Sequence, residues 1–500
     1  MTVDVHIVWF KRDLRIVDHE PIVRAAERGP VVPLYVYEPE LLAQPTADAR
    51  HVEFTNQCLT ELDAALRRAG TPLVVRTGRV PDVFDELARE LGDDHSIASI
   101  SAHQETTDLA GYRRDDDVRA WARQRDIDFV EYVDRGVIRR LKTRDGWAKR
   151  WKETMSQPLL DEPAALTGTQ LRPGELSQPA QLGMSPSVCV EMQCGGRAAG
   201  LDTLDSFLTE RGKPYTTAMS SPVTAFEHSS RVSPHLAFGT VSGREVYQAT
   251  MQRIAEVRDD PQRGTWLQSL RSFEKRLHWR DHFTQKLEDQ PTLEVEAMHP
   301  MLDGLRPDFD AVKFERFCEG RTGYPMVDAC MRATTATGWL NFRMRAMVVS
   351  FATYHLWLDW RPVAAHLARM WTDYEPGIHY PQHQMQSGSS GINTLRIYSP
   401  TKQVTDHDPT GVFIKQWVPE LRDVPDRHLA EPHLAEPDLF SDGATSSYPP
   451  PIVDHTLATR AARDLISEIR KLPEAVAIAD EIVQRHGSRK PAPRRPKAKK

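Results

Sequence analysis

The sequence predicts a parallel α/β domain followed by an all-α domain. Apolar strands alternate with amphipathic helices through the first 135 residues, and helical periodicity dominates from residue 201 onward. Between them lies a stretch rich in Pro, Gly, Ser and Gln with little periodicity. These observations predict structured domains at residues 1–135 and 201–487, a linker at 136–200, and a basic, disordered tail at 488–500.

The N-terminal domain is predicted from the order of its elements. The segments HIVWF, VVPLYVY, PLVVRTG and SIASISA are predicted as strands, with helices over about 49–69 and over PDVFDELARELG between them. Such alternation is typical of βαβ units and indicates a Rossmann-like parallel sheet. Without a GxGxxG motif, phosphate-loop binding of a dinucleotide is not expected, but an open α/β sheet still tends to hold a ligand at the carboxyl ends of its strands.

Length and composition limit the classes of protein that the sequence can encode. Five hundred residues exceed one ordinary domain, and 40% hydrophobic with 27% charged residues describe a soluble globular protein. No export signal opens the chain and the apolar run at 347–360 is too short for a bilayer, so a cytoplasmic protein without membrane contact is expected. A net charge of −6 confines any DNA contact to a local basic patch. The five scattered cysteines lack a CxxC motif, and no metal site is expected.

The stretch at 369–421 has the richest mixture of functional side chains. Acids, imidazoles, amides and aromatics occur there with an SGSSG run, and neither a helix stripe nor a strand alternation explains them. Asp373 and Glu375 can accept bonds from hydroxyls or fix an arginine, and Gly377 lets backbone approach a flat ligand. A ligand site is predicted; the alternative is a long surface loop between two helices.

A second candidate site precedes a predicted helix. Ser233 and Pro234 are predicted as its N-cap and first-turn pair, and residues 242–245 as the capping box of the next helix. The Ser-Ser-Arg run at 229–231 then lies just before a helix N-terminus. Hydroxyls, a guanidinium and free N–H groups suit an anion such as a diphosphate. Two capped helices with a solvated arginine are the alternative.

Together these motifs resemble the cryptochrome and DNA photolyase family. The matching pieces are DYEPGIHY, RIYSPTKQ, FIKQWVPELRDVP, VWFKRDLRIVDH at 8–19 and EGRTGYPMVDACMRATTATGWL at 319–340, so the resemblance spans nearly the whole chain. The motifs YEPGIHY and QMQSG are similar to those of the bacterial iron-sulfur photolyase branch. Only Cys318 and Cys330 fall in the C-terminal domain, so the four-cysteine cluster of that branch is rejected and an offshoot related to it is expected.

The resemblance implies a helical domain that binds FAD in a U shape. It also implies an N-terminal domain that holds an antenna pigment of folate, deazaflavin or lumazine type, or none. For Arg12, Asp13 and Arg15, which match a family signature, structural ion pairs and ligand contacts both remain open. The FAD contacts it implies are Tyr215, Ser229, Ser230, Arg231, Val232, Ser233, Phe273, Arg276, Arg280, Arg345, Asp373, Glu375, Gly377 and His379.

Two of these positions carry a specific expectation. Arg276 departs from relatives, which often have Glu or Gln there, so its contact with the flavin is open. Arg345 and Asp373 match a pair that relatives place beside the flavin ring, and a buried, hydrogen-bonded ion pair is expected between them.

The implied reaction is light-driven electron donation from reduced FAD to a pyrimidine dimer flipped out of UV-damaged DNA. Trp360 matches the middle member of the family's tryptophan relay, and Trp279 a position that lines the lesion pocket. His379 stands where relatives often have Asn, His383 where the first relay tryptophan would be, and Met385 where a second lesion-stacking tryptophan would be. These five residues are the catalytic candidates.

Several functions fit the sequence. A cyclobutane-dimer photolyase is the leading hypothesis, because six-four photolyases use two histidines where this chain has Phe342 and Ala346. Six-four repair and a cryptochrome-like photoreceptor without repair are alternatives. The tryptophan relay, which lacks its first member at His383, favours the photoreceptor. The short tail at 488–500 disfavours it. A nucleotide-binding protein without photochemistry is more remote, and a monomer is expected.

Overall fold

The structure of the protein, a computed structural model, describes residues 2–435 and 447–488. Its N-terminal part is a parallel sheet, as the sequence predicts, and has five strands in the order β3-β2-β1-β4-β5. The strands are Val3–Phe10 (β1), Val31–Tyr37 (β2), Val74–Thr77 (β3), His95–His103 (β4) and Asp128–Tyr132 (β5). The accompanying helices are Glu20–Ala26 (α1), Pro39–Leu42 (α2), Ala49–Ala69 (α3), Val80–Leu91 (α4), Leu109–Gln124 (α5) and Trp147–Met155 (α6).

The central strand β1 explains the topology. Val5, Ile7 and Val8 are fully buried, and such a continuous apolar run is typical of a parallel strand covered by helices on both faces. In register, Ile7 pairs with Val32 of β2 and Ile100 of β4. The strand order reverses between β1 and β4, so the carboxyl ends of these two strands form the topological switch point of the sheet.

The C-terminal part is helical, as predicted. Its helices are Arg197–Ser206 (α7), Tyr215–Ala218 (α8), Pro222–His228 (α9), Ser233–Ala237 (α10), Gly243–Arg258 (α11), Trp266–Asp289 (α12), Ala311–Cys318 (α13), Pro325–Thr337 (α14), Phe342–Ser350 (α15), Trp360–Met370 (α16), Pro376–Gln386 (α17), Pro400–His407 (α18), Val412–Trp417 (α19), His455–Arg470 (α20) and Pro473–His486 (α21). The predicted capping box is confirmed: Ser242 Oγ accepts from Glu245 N at 3.0 Å, and Glu245 Oε2 accepts from Ser242 N at 2.7 Å. Near the end of the described chain, α20 ends at Arg470 and α21 begins at Pro473. In residues 2–435 and 447–488, no helix has the length and apolar character that crossing a membrane requires.

The predicted linker at 136–200 is partly structured. Trp147, Trp151 and Met155 recur at helical spacing and are buried on α6, so this part of the segment is helical. Trp151 Nε1 donates to Asp281 of α12 at 2.8 Å. Farther along, backbone hydrogen bonds fasten residues 166–173 to the end of α3 and to β2 and β3.

The helical pattern of residues 324–360 does not form one continuous helix. Gly338 ends α14 in a left-handed conformation, with φ of 67°. A π-helical turn at Phe351–His355 and the left-handed Trp357, with φ of 56°, then separate α15 from α16. Trp357 therefore does not share a helix face with Trp360, which is the first residue of α16.

The long helix α12 positions the site. It comprises 24 residues and packs against α11 and α17. Because α17 lies inside the chemically mixed stretch at 369–421, this packing places α12 side chains beside that stretch. The tail predicted at 488–500 lies outside the described residues except for Ser488.

Gly338 and Gly304 have nearly the same positive φ, 67° and 65°, in different surroundings. A Cβ at Gly338 would lie 2.1 Å from Thr372 Oγ1 and 3.1 Å from Cys189 Sγ, whereas one at Gly304 meets nothing within 4 Å. We expect Gly338→Ala to lower the free energy of unfolding by about 1–3 kcal/mol more than Gly304→Ala, because only the former adds overpacking to the shared strain. Parallel urea titrations measure the difference, and equal losses in the two variants would contradict it.

Candidate functional site

A bidentate ion pair joins α15 to the segment after α16. Arg345 Nη1 and Nη2 donate to Asp373 Oδ1 and Oδ2 at 2.8 and 2.9 Å, and Arg345 Nε donates to Leu340 O at 2.7 Å. The guanidinium also lies 4.4 Å from the centroid of the Trp371 ring. The expected ion pair is thus present, and its fork geometry fixes both side chains in one orientation.

Glu375, the N-cap of α17, connects the two parts of the chain. Its carboxylate accepts from Arg280 of α12 at 2.7 Å and from Arg135, which follows β5. Burial disfavours the charged carboxylate, but the two guanidinium groups outweigh burial and lower the pKa of Glu375 to about 2. Arg280 also donates to Leu236 O at 3.0 Å, so the carboxylate holds three segments together.

The turn at 229–233 differs by one residue from the prediction. Val232 is the N-cap of α10, and Ser233 is its first helical residue, so the prediction of Ser233 as the N-cap is wrong. The reason lies in Arg231, whose φ of 60° turns the chain into the helix one residue early. No side chain caps α10.

Two arginines without a carboxylate hydrogen bond face this turn. The Arg231 guanidinium lies 4.1 Å from the centroid of the Trp339 ring, and its buried Nη1 has no hydrogen-bond partner among the described residues. Arg211 donates to Ser230 O at 2.6 Å and also to Ser229 O. Burial lowers the pKa of each arginine to about 10. Sequence analysis missed Arg211, because an isolated arginine 18 residues before its partner forms no local motif.

The charges near the turn do not balance. Arg231 interacts electrostatically with Asp373, Arg211 and Arg345. Since Arg345 already binds Asp373, the described residues supply one carboxylate for these three cations, and two positive charges remain uncompensated. Buried charges without counter-ions are costly. The cluster therefore fits a ligand with two adjacent negative charges, such as a diphosphate.

His379 and His383 form a buried pair on α17, with ring centroids 4.1 Å apart. His379 Nε2 bonds to Ala364 O at 2.8 Å, and His383 Nδ1 bonds to the carbonyl of His379 at 2.9 Å. A carbonyl only accepts, so these nitrogens carry the protons and His379 Nδ1 and His383 Nε2 are bare acceptors. Neither has a partner among the described residues, nor has the nearby Trp371 Nε1. Burial lowers the pKa of His379 well below its usual value and that of His383 to about 4.

The remaining catalytic candidates are not gathered at this pair. Trp279 is 50% exposed on α12, and Met385 is half-buried near the end of α17. Trp360 is buried in the same cluster as Tyr380, whereas Trp371 belongs to a different core cluster. Tyr380 is thus the member of the Trp360 cluster that contacts the histidine pair, and its ring lies 5.4 Å from that of His379.

Four further predicted contacts have different surroundings. Tyr215 and Phe273 are buried and pack edge to face, with centroids 6.2 Å apart. Arg276 is exposed, and its guanidinium lies 5.7 Å from the ring of Phe342, which is itself 48% exposed. A Cβ at Gly377 would lie 2.6 Å from Thr284 of α12, so close helix packing already requires a glycine there.

The family-signature residues Arg12, Asp13 and Arg15 make contacts within the chain. These contacts favour a structural role over ligand binding. The contacts are Arg12 to the carbonyls of Ala237 and Tyr374, Asp13 to His19 and His103, and Arg15 to Gly239 O and Asp134. Asp13, His19 and His103 could hold a metal ion by their spacing. Their mutual hydrogen bonds, of 3.0 and 2.8 Å to Asp13 Oδ2, account for the cluster without one.

The fold and the site define a two-domain protein with an α/β sheet and a helical domain suited to a diphosphate-containing cofactor. The family model described as the FAD binding domain of DNA photolyase matches residues 273–468, and the model described as DNA photolyase matches residues 6–154. The chain belongs to the DNA photolyase and cryptochrome family, and FAD is its cofactor.

Curated relatives and solved structures are similar over nearly the whole chain. The deoxyribodipyrimidine photo-lyase of Streptomyces griseus is 30% identical over 92% of this chain and 98% of its own length. A cryptochrome DASH of Natronomonas pharaonis is 28% identical, with 90% and 98% covered. A class III photolyase from Agrobacterium tumefaciens has a TM-score of 0.80 at 26% identity, with 94% and 98% covered. An archaeal photolyase from Sulfolobus tokodaii, described with two FAD molecules, has a TM-score of 0.76 at 25% identity, with 93% and 100% covered.

The low pKa of Glu375 makes its contribution to stability depend on pH. A folded pKa of about 2 against an ordinary 4.5 means that the charged form stabilises the fold above pH 4.5 and that this is lost as the pH falls toward 2. We expect Glu375→Gln to reduce the free energy of unfolding by about 3 kcal/mol at pH 7, and the deficit to shrink below pH 4.5. Urea unfolding of both proteins from pH 7 to pH 3 measures this, and a deficit independent of pH would contradict it.

Proposed function

We propose that the chain repairs cyclobutane pyrimidine dimers in DNA under blue light, with reduced FAD as the electron donor. The observation that carries the proposal is the position of Trp279 on α12. Its neighbour Arg280 is bound to Glu375 inside the site, while Trp279 itself is half exposed. An aromatic ring open to solvent beside the cofactor site suits a base that has left the duplex, because bases stack on such rings.

The proposed cofactor position follows from the unbalanced charges. The diphosphate is assigned to Arg211, Arg231 and the turn at 229–233, and the flavin ring to the side that carries Arg345, Asp373 and His379. When bound, FAD supplies light absorption and the transferable electron, and the side chains orient it and exclude water. Of the contacts implied by the resemblance, those with unpaired buried groups support the assignment most, namely Arg231 and His379. Arg276 is assigned to the rim beside Trp279, because it is exposed one helical turn away.

The substrate assignment rests on which groups can donate a proton. Six-four repair uses histidines where this chain has Phe342 and Ala346. His379 and His383 are buried and have pKa values far below neutral, so they are poor proton donors to a lesion at pH 7. Splitting a cyclobutane ring by electron transfer requires no such donor, which favours the cyclobutane dimer.

Light sensing without repair is the second candidate. It is favoured by His383 and Met385, which replace a relay and a lesion-stacking tryptophan, and by similarity to a cryptochrome DASH. Under this alternative the FAD site is the same, and the exposed ring of Trp279 has no role in repair.

Arg211 offers a test of the cofactor position. We expect Arg211→Gln to weaken FAD retention by about tenfold, because the variant loses a positive charge and frees the carbonyls that shape the turn. Arg306→Gln is the matched control: Arg306 is also buried with a pKa lowered to about 10, and it donates to Thr353 O and Ser387 O at 2.8 and 2.9 Å. Flavin fluorescence after stepwise dilution measures release. Equal release from both variants would reject the assignment.

Trp279 offers a test of the substrate. We expect Trp279→Ala to weaken binding of DNA with a cyclobutane dimer by about tenfold or more, since one base–aromatic stack is worth about 1–3 kcal/mol. Phe309→Ala is the control, because Phe309 is 46% exposed and packs on Phe314 at 5.2 Å. Titration with labelled lesion DNA in the dark compares the variants. Unchanged affinity in Trp279→Ala would remove this residue from the lesion site.

The function itself is decided by an anaerobic repair assay. Photoreduced protein is illuminated with DNA that contains one defined cyclobutane or six-four lesion, and restored pyrimidines are counted against a dark control. Light-dependent restoration of the cyclobutane lesion supports the proposal, and restoration of the six-four lesion alone changes the substrate. If protein with reducible FAD restores neither lesion, the photoreceptor becomes the better assignment.

A further inference from the structure

The switch point of the parallel sheet is filled by charged side chains. Ligands of open α/β sheets bind outside the carboxyl ends of the strands where the strand order reverses, which in this chain lies between β1 and β4. The side chains that converge there are Lys11 after β1, Glu38 after β2, Glu105 after β4, and Arg114 and Asp115 of α5.

Arg114 is the centre of this switch-point cluster. Its guanidinium lies 3.0 Å from Glu38, 2.7 Å from Glu105 and 2.9 Å from Asp115. Lys11 Nζ adds contacts of 3.8 Å to Glu105 and 3.6 Å to Asp115. All five side chains are at most 13% exposed. The crevice thus contains paired charges that have already lost most of their water.

Trp9 forms the floor of the crevice. It is 1% exposed, and the Arg114 guanidinium lies 4.8 Å from its ring centroid, with Lys11 Nζ at 4.9 Å. A guanidinium is planar and stacks on aromatic faces. The chain's own arginine therefore occupies the surface of Trp9 on which a flat pigment would stack.

Displacing this arginine would leave Glu38 without a partner in the cluster, and Glu105 and Asp115 with Lys11 alone. Removing one member of a buried ion cluster is strongly unfavourable. A pigment that entered the crevice would lose roughly 100-fold or more in affinity to this cost.

The adjoining seam between the sheet and the helical domain is also closed by direct contacts. Thr106 Oγ1 and Tyr112 OH donate to Glu288 of α12 at 2.7 and 3.1 Å, and Leu109 N donates to Glu294 at 2.6 Å. A depression at the carboxyl ends of β4 and β5 has a cavity volume of only about 10 Å³. Pockets for drug-sized ligands usually have about 300–1,000 Å³.

We propose that the sheet domain of this chain binds no antenna pigment, and that FAD in the helical domain is its single chromophore. The cluster around Arg114 takes the place of the pigment and ties β1, β2, β4 and α5 together. The family resemblance implies a folate, deazaflavin or lumazine pigment, and a structural neighbour is described with two FAD molecules, so this domain does not fit the group that its fold implies. The proposal rests on the FAD site and is independent of repair.

The first test counts chromophores. The purified holoprotein is incubated separately with excess FAD, riboflavin, a deazaflavin, a lumazine and a reduced folate, passed through a desalting column and denatured, and the released chromophores are quantified by chromatography. We expect one FAD per chain and no second chromophore. The Sulfolobus tokodaii photolyase, treated in parallel with FAD, shows whether the procedure retains a second chromophore. A second chromophore at about one per chain overturns the proposal.

The second test uses an action spectrum. The rate of FAD photoreduction per incident photon is measured across the near-ultraviolet and blue without DNA, after incubation with each pigment. We expect this spectrum to superimpose on the absorption of bound FAD. A sensitised band from an added pigment overturns the proposal. Failure of the repair assay would leave both measurements unchanged, so the two proposals fail separately.

Discussion

The carboxylate of Glu375 lies between Arg135 and Arg280, and the arrangement of the site depends on this shared charge. Arg135 follows the last strand of the sheet, Arg280 belongs to α12, and Glu375 begins α17. A single buried group therefore joins the α/β domain to two helices of the helical domain. Without it, the two guanidinium groups would face each other as buried cations, which is strongly unfavourable.

A second constraint is the missing counter-charge around Arg211 and Arg231. Elsewhere Arg15, Arg114 and Arg345 bind carboxylates of the chain itself, and Arg306 binds two backbone carbonyls. At the switch point, carboxylates of the chain pair with Arg114, and these side chains fill the crevice. Beside the turn at 229–233, two neighbouring arginines have no carboxylate partner among the described residues, and this arrangement fits an anionic cofactor. The same residue type thus marks both a closed site and an open one.

The sequence predicted what short-range periodicity and local motifs encode. Strands such as Val31–Tyr37 and the helix Ala49–Ala69 followed from apolar spacing, and the capping box at Ser242 followed from a four-residue pattern. The resemblance supplied the pairing of Arg345 with Asp373, 28 residues apart. Arg211 was missed because its partners are backbone carbonyls, which any sequence can supply. The break before Trp360 has no local sequence signal, because the left-handed residue there is Trp357 and not a glycine.

The histidine pair on α17 has a consequence for the environment of the cofactor. Both imidazoles are neutral at physiological pH, because burial keeps their pKa values far below it. Each has its proton fixed on the nitrogen that faces a backbone carbonyl. The field that these side chains exert on a neighbouring group is therefore the same in mildly acidic and mildly alkaline cells. In this respect the pair acts as a permanent dipole rather than as a buffer.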